Sequence, residues 1–168
     1  MAKLNETVQD ALNKQINAEI YSGYIYLAMA AYFTSINLQG FGKWMRIQAH
    51  EELGHAMKFF EYITERGGRV ALRPLEEPPF QWASPLEAFE EASRHEQKKT
   101  GLINHLVELS APHVDHATSV FLQWFVNEQV EEEASTDEVV QKLKLIGDAP
   151  GALFMMDREL GQRQASAS

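Results

Sequence analysis

Apolar residues recur along most of this chain at steps of three and four, the period of a helix with one buried face. Behind Asn5 and Glu6, the first stripe runs Val8, Leu12, Ile16, Glu19, Gly23, Tyr26 with Leu27, and Ala30. A carboxylate, Glu19, stands in the middle of that apolar face. After a short turn over Asn37 to Gly40, a second stripe runs Phe41, Met45, Gln48, Glu52, His55, Phe59 and Tyr62 with Ile63; Gly67 and Gly68 close it as a glycine stop. From Arg69 to Ala83 the period is lost, and Pro74, Pro78 and Pro79 exclude a helix. Ser84-Pro85-Leu86-Glu87 is a capping box with proline at the first helical position. It opens a third stripe, Phe89, Ser93, Glu96, Thr100, Ile103, Val107 and Ser110, which stops before Pro112. A fourth starts near Asp115 with Phe121, Phe125, Gln129, Glu132, Thr136, Val139 and Leu143, and ends near Gly147. Beyond a hinge at Gly147 to Gly151, Leu153, Phe154, Met156 and Leu160 mark a short helix over about 152–163, and Ala165 to Ser168 read as a frayed tail.

Short turns make helices 1 and 2 antiparallel neighbours, and likewise helices 3 and 4. Some fifteen extended residues between helices 2 and 3 span ~45 Å, the length of a thirty-residue helix at ~1.5 Å per residue. The expected fold is therefore all-α: an antiparallel four-helix bundle with a long crossover between helices 2 and 3, plus a short fifth C-terminal helix. With 168 residues and 45% hydrophobic content, the chain suits a single domain, 1–168, whose bundle covers about 5–147.

The polar residues on the inward stripes repeat at a fixed interval. Glu19 precedes Glu52 by 33 residues and His55 by 36, and Glu96 precedes Gln129 by 33 and Glu132 by 36. Each half thus carries a carboxylate on one helix facing a three-residue pair on the next, where side chains three apart share a face. All four depths fall ~17 to 21 Å from a helix end, so antiparallel packing gathers the six side chains at mid-height. Burying several carboxylates is costly unless something positive neutralises them. No lysine or arginine is expected on those stripes near mid-height, which leaves a metal cation, and carboxylates with one imidazole suit iron, manganese or a related divalent ion. On this reading one ion takes Glu19, His55 and a shared Glu52, and the second takes Glu52, Glu96 and Glu132, with Gln129 as a hydrogen-bonding or weak ligand. Glu51, Glu128 and Glu131 lie about 100° round the helices. With Glu132 they form either a third, looser site or a solvated acidic face. Tyr26, two turns beyond Glu19, and Trp124, near Glu128, are electron donors for oxygen chemistry or simply core. His50, His95, His105, His113 and His116 have no partner at ligand spacing and read as surface or packing residues.

Composition narrows the classes further. A net charge of −9 and no cysteine argue against nucleic-acid and anionic-membrane binding, disulfides and thiolate metal sites. The charge suits cation collection, although a solvated acidic surface explains it as well. Met1-Ala2-Lys3 shows no signal peptide, and no uncharged apolar run reaches the ~20 residues of a membrane helix. A cytoplasmic protein is expected.

The chain resembles a non-haem prokaryotic ferritin over essentially its full length. The resemblance rests on Asn17-Ala18-Glu19-Ile20-Tyr21-Ser22, on Glu51-Glu52 with His55, on Glu65-Arg66-Gly67-Gly68, on His95-Glu96, and on the run from Phe121 to Glu133 with Glu128, Gln129, Glu131 and Glu132. The resemblance implies iron storage. Fe(II) would be oxidised at a ferroxidase centre of Glu19, Glu52, His55, Glu96, Gln129 and Glu132, with two iron ions per subunit, and ferric mineral deposited inside a hollow homo-oligomeric shell of 24 subunits. It also implies a third iron site at Glu51, Glu128, Glu131 and Glu132, a nearby redox tyrosine at Tyr26, and a fifth helix packed at a symmetry axis. Haem-containing relatives carry a second Glu-x-x-His on the fourth helix and a methionine beside the first. Glu132 and Leu53 stand there in this chain, so no haem is expected. The turn Asp148-Ala149-Pro150-Gly151 leaves the packing of the fifth helix, and with it the shell's symmetry, open. The rival readings are a di-iron oxidase or peroxidase acting on another substrate, and a non-catalytic metal buffer.

Overall fold

Each predicted stripe becomes a helix, and local chemistry sets its ends. The computed structural model describes residues 3–166. In chain order it contains α1 (Glu6–Ser35), α2 (Gln39–Glu65), α3 (Pro85–Ser110), a single 3₁₀ turn (Ala111–His113), α4 (His116–Ile146) and α5 (Pro150–Leu160). The Asn5 side chain accepts from the Thr7 and Val8 amides and caps α1. Asn37, in the left-handed region at φ 62°, turns the chain into α2. At the far end of α2 the Gly68 amide donates to Ile63 O and the Gly67 amide to Thr64 O, with Gly67 at φ 68°. That Schellman pair needs a residue without a Cβ at Gly67. Ser84 Oγ accepts from the Glu87 amide at 3.1 Å, and the Glu87 carboxylate accepts from the Ala83 amide, closing the predicted box one residue early. Asp115 caps α4 through the Thr118 amide and also pairs with Arg66 through both guanidinium nitrogens, at 3.0 and 3.2 Å.

The crossover is tied to the bundle at its two ends. Asn13 of α1 donates to Arg69 O and accepts from the Ala71 amide, Gln9 accepts from the Arg69 amide, and the Trp82 indole donates to Glu91.

Two apolar cores fill the bundle. One, built on Tyr26, Met29, Phe33, Phe41, Met45, Phe89 and Val139, includes the inner face of α5 through Met156 and Leu160. The other, built on Leu12, Ile16, Phe59, Ile63, Ile103 and Phe125, lies toward the opposite end. The segments that neither core uses carry buried Glu19, Glu52, His55, Glu96, Gln129 and Glu132. The polar residues thus form a layer between two hydrophobic plugs, which keep water from entering along the bundle axis.

Three expectations are corrected. The inner face of α3 runs through Ala88, Phe89, Ala92, Glu96, Lys99, Ile103 and Leu106. Ser93 and Thr100 are only half-buried, because the helix turns Ala92 and Lys99, four residues before and three after Glu96, toward the core instead. α5 begins at Pro150, a favoured first helical position, and ends at Leu160, short of Arg163. The tail is not frayed through Ser166: its hydroxyl donates to Glu51 at 2.7 Å, while Arg163 donates to Trp44 O, Gln48 and Glu51. Ala167 and Ser168, like Met1 and Ala2, lie outside the described residues. α5 approaches α2 so closely that a Cβ on Gly40 would stand 1.7 Å from Asp157 O, and the Phe41 amide donates to Asp157 Oδ1 at 3.0 Å.

Two measurements follow from these joints. Gly40→Ala forces α5 away from α2 and is expected to cost about 1–3 kcal/mol in chemical denaturation. Asp115→Ala removes a cap and one side of an ion pair, for about 1–2 kcal/mol. Burial raises the Asp115 carboxyl, but Arg66 and Thr118 outweigh it and hold its pKa at about 2, against an ordinary 3.8. Its contribution is therefore complete above pH 4 and lost as pH falls toward 2. The unfolding free energies of the parent and Asp115→Ala should converge over that interval.

Candidate metal centre

The polar layer draws one or two side chains from every long helix. Glu19 comes from α1, Glu52 and His55 from successive turns of α2, Glu96 from α3, and Gln129 and Glu132 from successive turns of α4. Their donor atoms fall into overlapping groups whose members all lie within 4.8 Å of one another: Glu19 with Glu52 and His55, Glu52 with Glu96 and Glu132, and His55 with Glu128 and Glu132. The first two groups bring together the side chains that the repeated spacing pairs, with Glu52 in both. Gln129 is not aimed between the carboxylates. Its amide nitrogen donates to Glu96 O, Glu96 Oε2 and Thr100 Oγ1 at 3.1 to 3.2 Å, so it orients Glu96.

Further amides complete the frame. Gln48 Nε2 donates to Glu52 Oε1 at 3.0 Å and to Glu132 Oε2 at 2.7 Å, tying α2 to α4. Gln15 Nε2 donates to Glu19 Oε1 at 2.9 Å, and the Tyr26 hydroxyl to Glu96 Oε1 at 2.5 Å. These donors fix carboxylate orientation, as outer partners do around metal sites. Gln48 was legible as a member of the second stripe, but its role was not, since glutamine at helical spacing carries no distinct signal.

The main correction concerns charge. Lys99, 1% exposed, places its ammonium among the carboxylates: it contacts Glu52 Oε2, and stands 3.1 Å from Glu19 Oε2 and 3.6 Å from Glu96 Oε2. The expectation that no basic side chain shares the mid-height layer is overturned. The signal was present, because Lys99 is three residues after Glu96, the same step that joins Glu52 to His55.

Electrostatics differ across the cluster. Burial raises the Glu19 carboxyl, yet the Lys99 ammonium and His55 outweigh it and bring its pKa down to about 2. Burial, with Glu52 and Glu96 adding repulsion, pushes Glu132 up to about 9. Burial alone would lower His55, but Glu128, Glu19 and Glu52 surround both ring nitrogens and push it to about 12. Burial moves Glu96 and Tyr26 upward as well. Both shifts favour the protonated forms of Glu132 and His55 at neutral pH.

The third group opens to the surface. A cleft of about 500 Å³ leads to His55 and is lined by Glu51, Glu61, Trp124, Glu128 and Glu131 among others. Glu128 joins His55 and Glu132, but Glu51 is paired with Arg163 and Ser166, and Glu131 is exposed. Trp124 packs edge-on against His55 at 5.4 Å, beneath the Lys58 ammonium. His95 is a packing residue, sharing a 2.7 Å hydrogen bond with Ser22 beside Tyr21 and Tyr26.

Residues 9–146 match the family model of the ferritin-like domain. The chain belongs to the ferritin family. Among curated ferritins it is similar to the bacterial non-heme ferritin of Bacteroides fragilis, 42% identical over 160 residues, covering 95% of this chain and 99% of that protein. The bacterial non-heme ferritin of Staphylococcus aureus is 38% identical over the same length, covering 95% of this chain and 96% of its own. Among solved ferritins, an open-pore ferritin of the hyperthermophilic archaeon Archaeoglobus fulgidus superposes with a TM-score of 0.95 at 56% identity, covering 96% of this chain and 100% of that one. An engineered closed form of that ferritin gives 0.96 at 55%, covering 98% and 100%. The all-α ferritin fold is thereby established, and among the described residues no helix is long and apolar enough to cross a membrane.

A divalent ion entering the cluster has to remove the protons on Glu132 and His55. Binding is therefore expected to release protons and to tighten with rising pH, about tenfold per unit for each proton released. Titration calorimetry with Zn(II) in buffers of different ionisation enthalpy, at pH 6 and pH 8, checks this. Equal affinity at the two pH values would contradict it.

Proposed function

We propose that this protein stores iron, oxidising Fe(II) with oxygen or peroxide at the mid-bundle cluster and depositing ferric mineral inside a hollow shell of its own copies. The observation that carries the reading is the pair of buried donor groups sharing Glu52 in a chain of the ferritin family. Iron is the substrate. Two Fe(II) ions each give up one electron, and O2 with two protons becomes H2O2; each Fe(III) then hydrolyses with two waters to FeOOH and three protons.

In this reading Glu19 and His55 hold one ion, Glu96 and Glu132 the other, and Glu52 bridges them at the separation a shared carboxylate imposes. The carboxylates favour Fe(III) over Fe(II) because added negative charge stabilises the higher oxidation state. Gln48 and Gln129 keep the oxygens aimed. In this reading Tyr26, which donates to Glu96 Oε1, lends an electron to oxygen when only one Fe(II) has given its own and regains it from the next Fe(II), so the overall balance is unchanged. Glu128 and Glu132 with His55 begin a third iron site, to which Glu51 and Glu131 contribute from the cleft wall once Glu51 leaves Arg163. The acidic cleft supplies a cation path to His55. We further read the assembly as 24 subunits without haem, working in the cytoplasm.

The deciding experiment adds excess Fe(II) in air to metal-free protein, follows oxygen uptake, and counts iron co-eluting on gel filtration. Iron far beyond three per chain on a particle of several hundred kilodaltons is expected, and Glu52→Ala should lose the fast oxidation while keeping the particle size. Iron that stops at two or three per chain on a small oligomer would instead assign a di-iron oxidase or a metal buffer.

A further inference from the structure

The centre already contains a cation. Lys99 is fully enclosed, and Glu19, Glu52 and Glu96 converge on its ammonium from three helices. The oxygens nearest to it, Glu19 Oε2 and Glu52 Oε2, are the ones that face His55 Nδ1, at 3.8 and 3.3 Å. Glu19 Oε2 is also the one buried side-chain oxygen or nitrogen among the described residues without a hydrogen bond. An ion held by Glu19, Glu52 and His55 has to sit ~2 Å from the first two oxygens. That location lies against the ammonium, where two cations in a buried layer repel strongly. The two occupants are therefore mutually exclusive.

We propose that Lys99 is a displaceable internal counter-ion that holds the Glu19 side of the centre until iron replaces it, so that the two ions load in a fixed order. This rests on reading the cluster as the iron site. Without metal, the ammonium offsets the repulsion among Glu19, Glu52 and Glu96 and lets the layer close. The trio of His55, Glu128 and Glu132 makes no ion pair with Lys99 and faces the open cleft, so the first ion arrives there and settles on the Glu132 side of the centre, Glu132 being the carboxylate of the four that Lys99 does not pair with. The second binds only after the lysine stem, a flexible four-carbon chain, swings out from between Glu19 and Glu52. Lys99 is thus a positioning residue for an empty centre and a competitor for a filled one.

The test uses the assembled, metal-free protein and Zn(II), which binds without redox chemistry. Calorimetry should resolve a tight and a weak step in the parent. Lys99→Met, similar in length and uncharged, should tighten the weak step at least tenfold, and should melt at a lower temperature than the parent only when metal is absent. An unchanged or weakened second step in an assembled variant would overturn the proposal. If Lys99→Met does not assemble, a crystal structure of the parent with Zn(II) reads the same point. Zn(II) between Glu19, Glu52 and His55 with Lys99 Nζ withdrawn, or Zn(II) confined to the Glu132 side with Lys99 in place, supports it. Zn(II) held by Glu19 and Glu52 with Nζ still beside them overturns it. Failure of the storage reading is separate, since it appears as the absence of an iron core in the parent whatever Zn(II) does.

Discussion

Four carboxyl groups in the middle of a helix bundle are the constraint on which the rest depends. Buried anions without partners would split the layer, because repulsion and lost hydration act together. Every neighbouring polar group answers that problem. Gln15, Gln48, Gln129 and Tyr26 each donate to a carboxylate, burial and repulsion push the Glu132 carboxyl upward, and His55 and Lys99 stand among the carboxylates as cations. The same groups that let the chain close are those that, in the proposed reading, an entering cation has to reorganise. Folding and metal chemistry therefore draw on one set of contacts.

The apolar plugs above and below make those contacts effective. Stacked Phe59 and Phe125 on one side, and the Phe33, Phe41 and Phe89 cluster on the other, hold the four helices at fixed rotation. A lateral cleft reaches the layer past His55 and Glu128. Access from one side, with an acidic lining, gives the layer a direction: α4 and the outer face of α2 meet the solvent, while Glu19 and Lys99 are buried away from the cleft.

Much of this was legible along the chain. Hydrophobic period, the Ser84 capping box, the Gly67 stop and the proline-rich crossover place the helices to within a few residues, since each is a local property of backbone and side chain. The repeated 33 and 36 spacing brings six polar residues together because equal intervals on antiparallel helices map to equal heights. Lys99 escaped for a physical reason: three and four residues beyond Glu96 are both helical neighbours, and period alone does not say which of Lys99 and Thr100 turns inward. The docking of Arg163 and Ser166 on Glu51 escaped because a tail has no period at all.

By itself, then, the sequence determined the bundle, its crossover and the identity of the buried donors, since these follow from local propensity and spacing. Tertiary structure alone decided their charge balance and their access. The rotation of α3, set by packing of Ala92 and Ile103 against the cores, chose lysine over threonine for the centre. The seating of α5 on Gly40 brought the tail to Glu51 and left Glu128 to face the cleft. Both outcomes depend on distances between helices far apart in the chain, which no local pattern encodes.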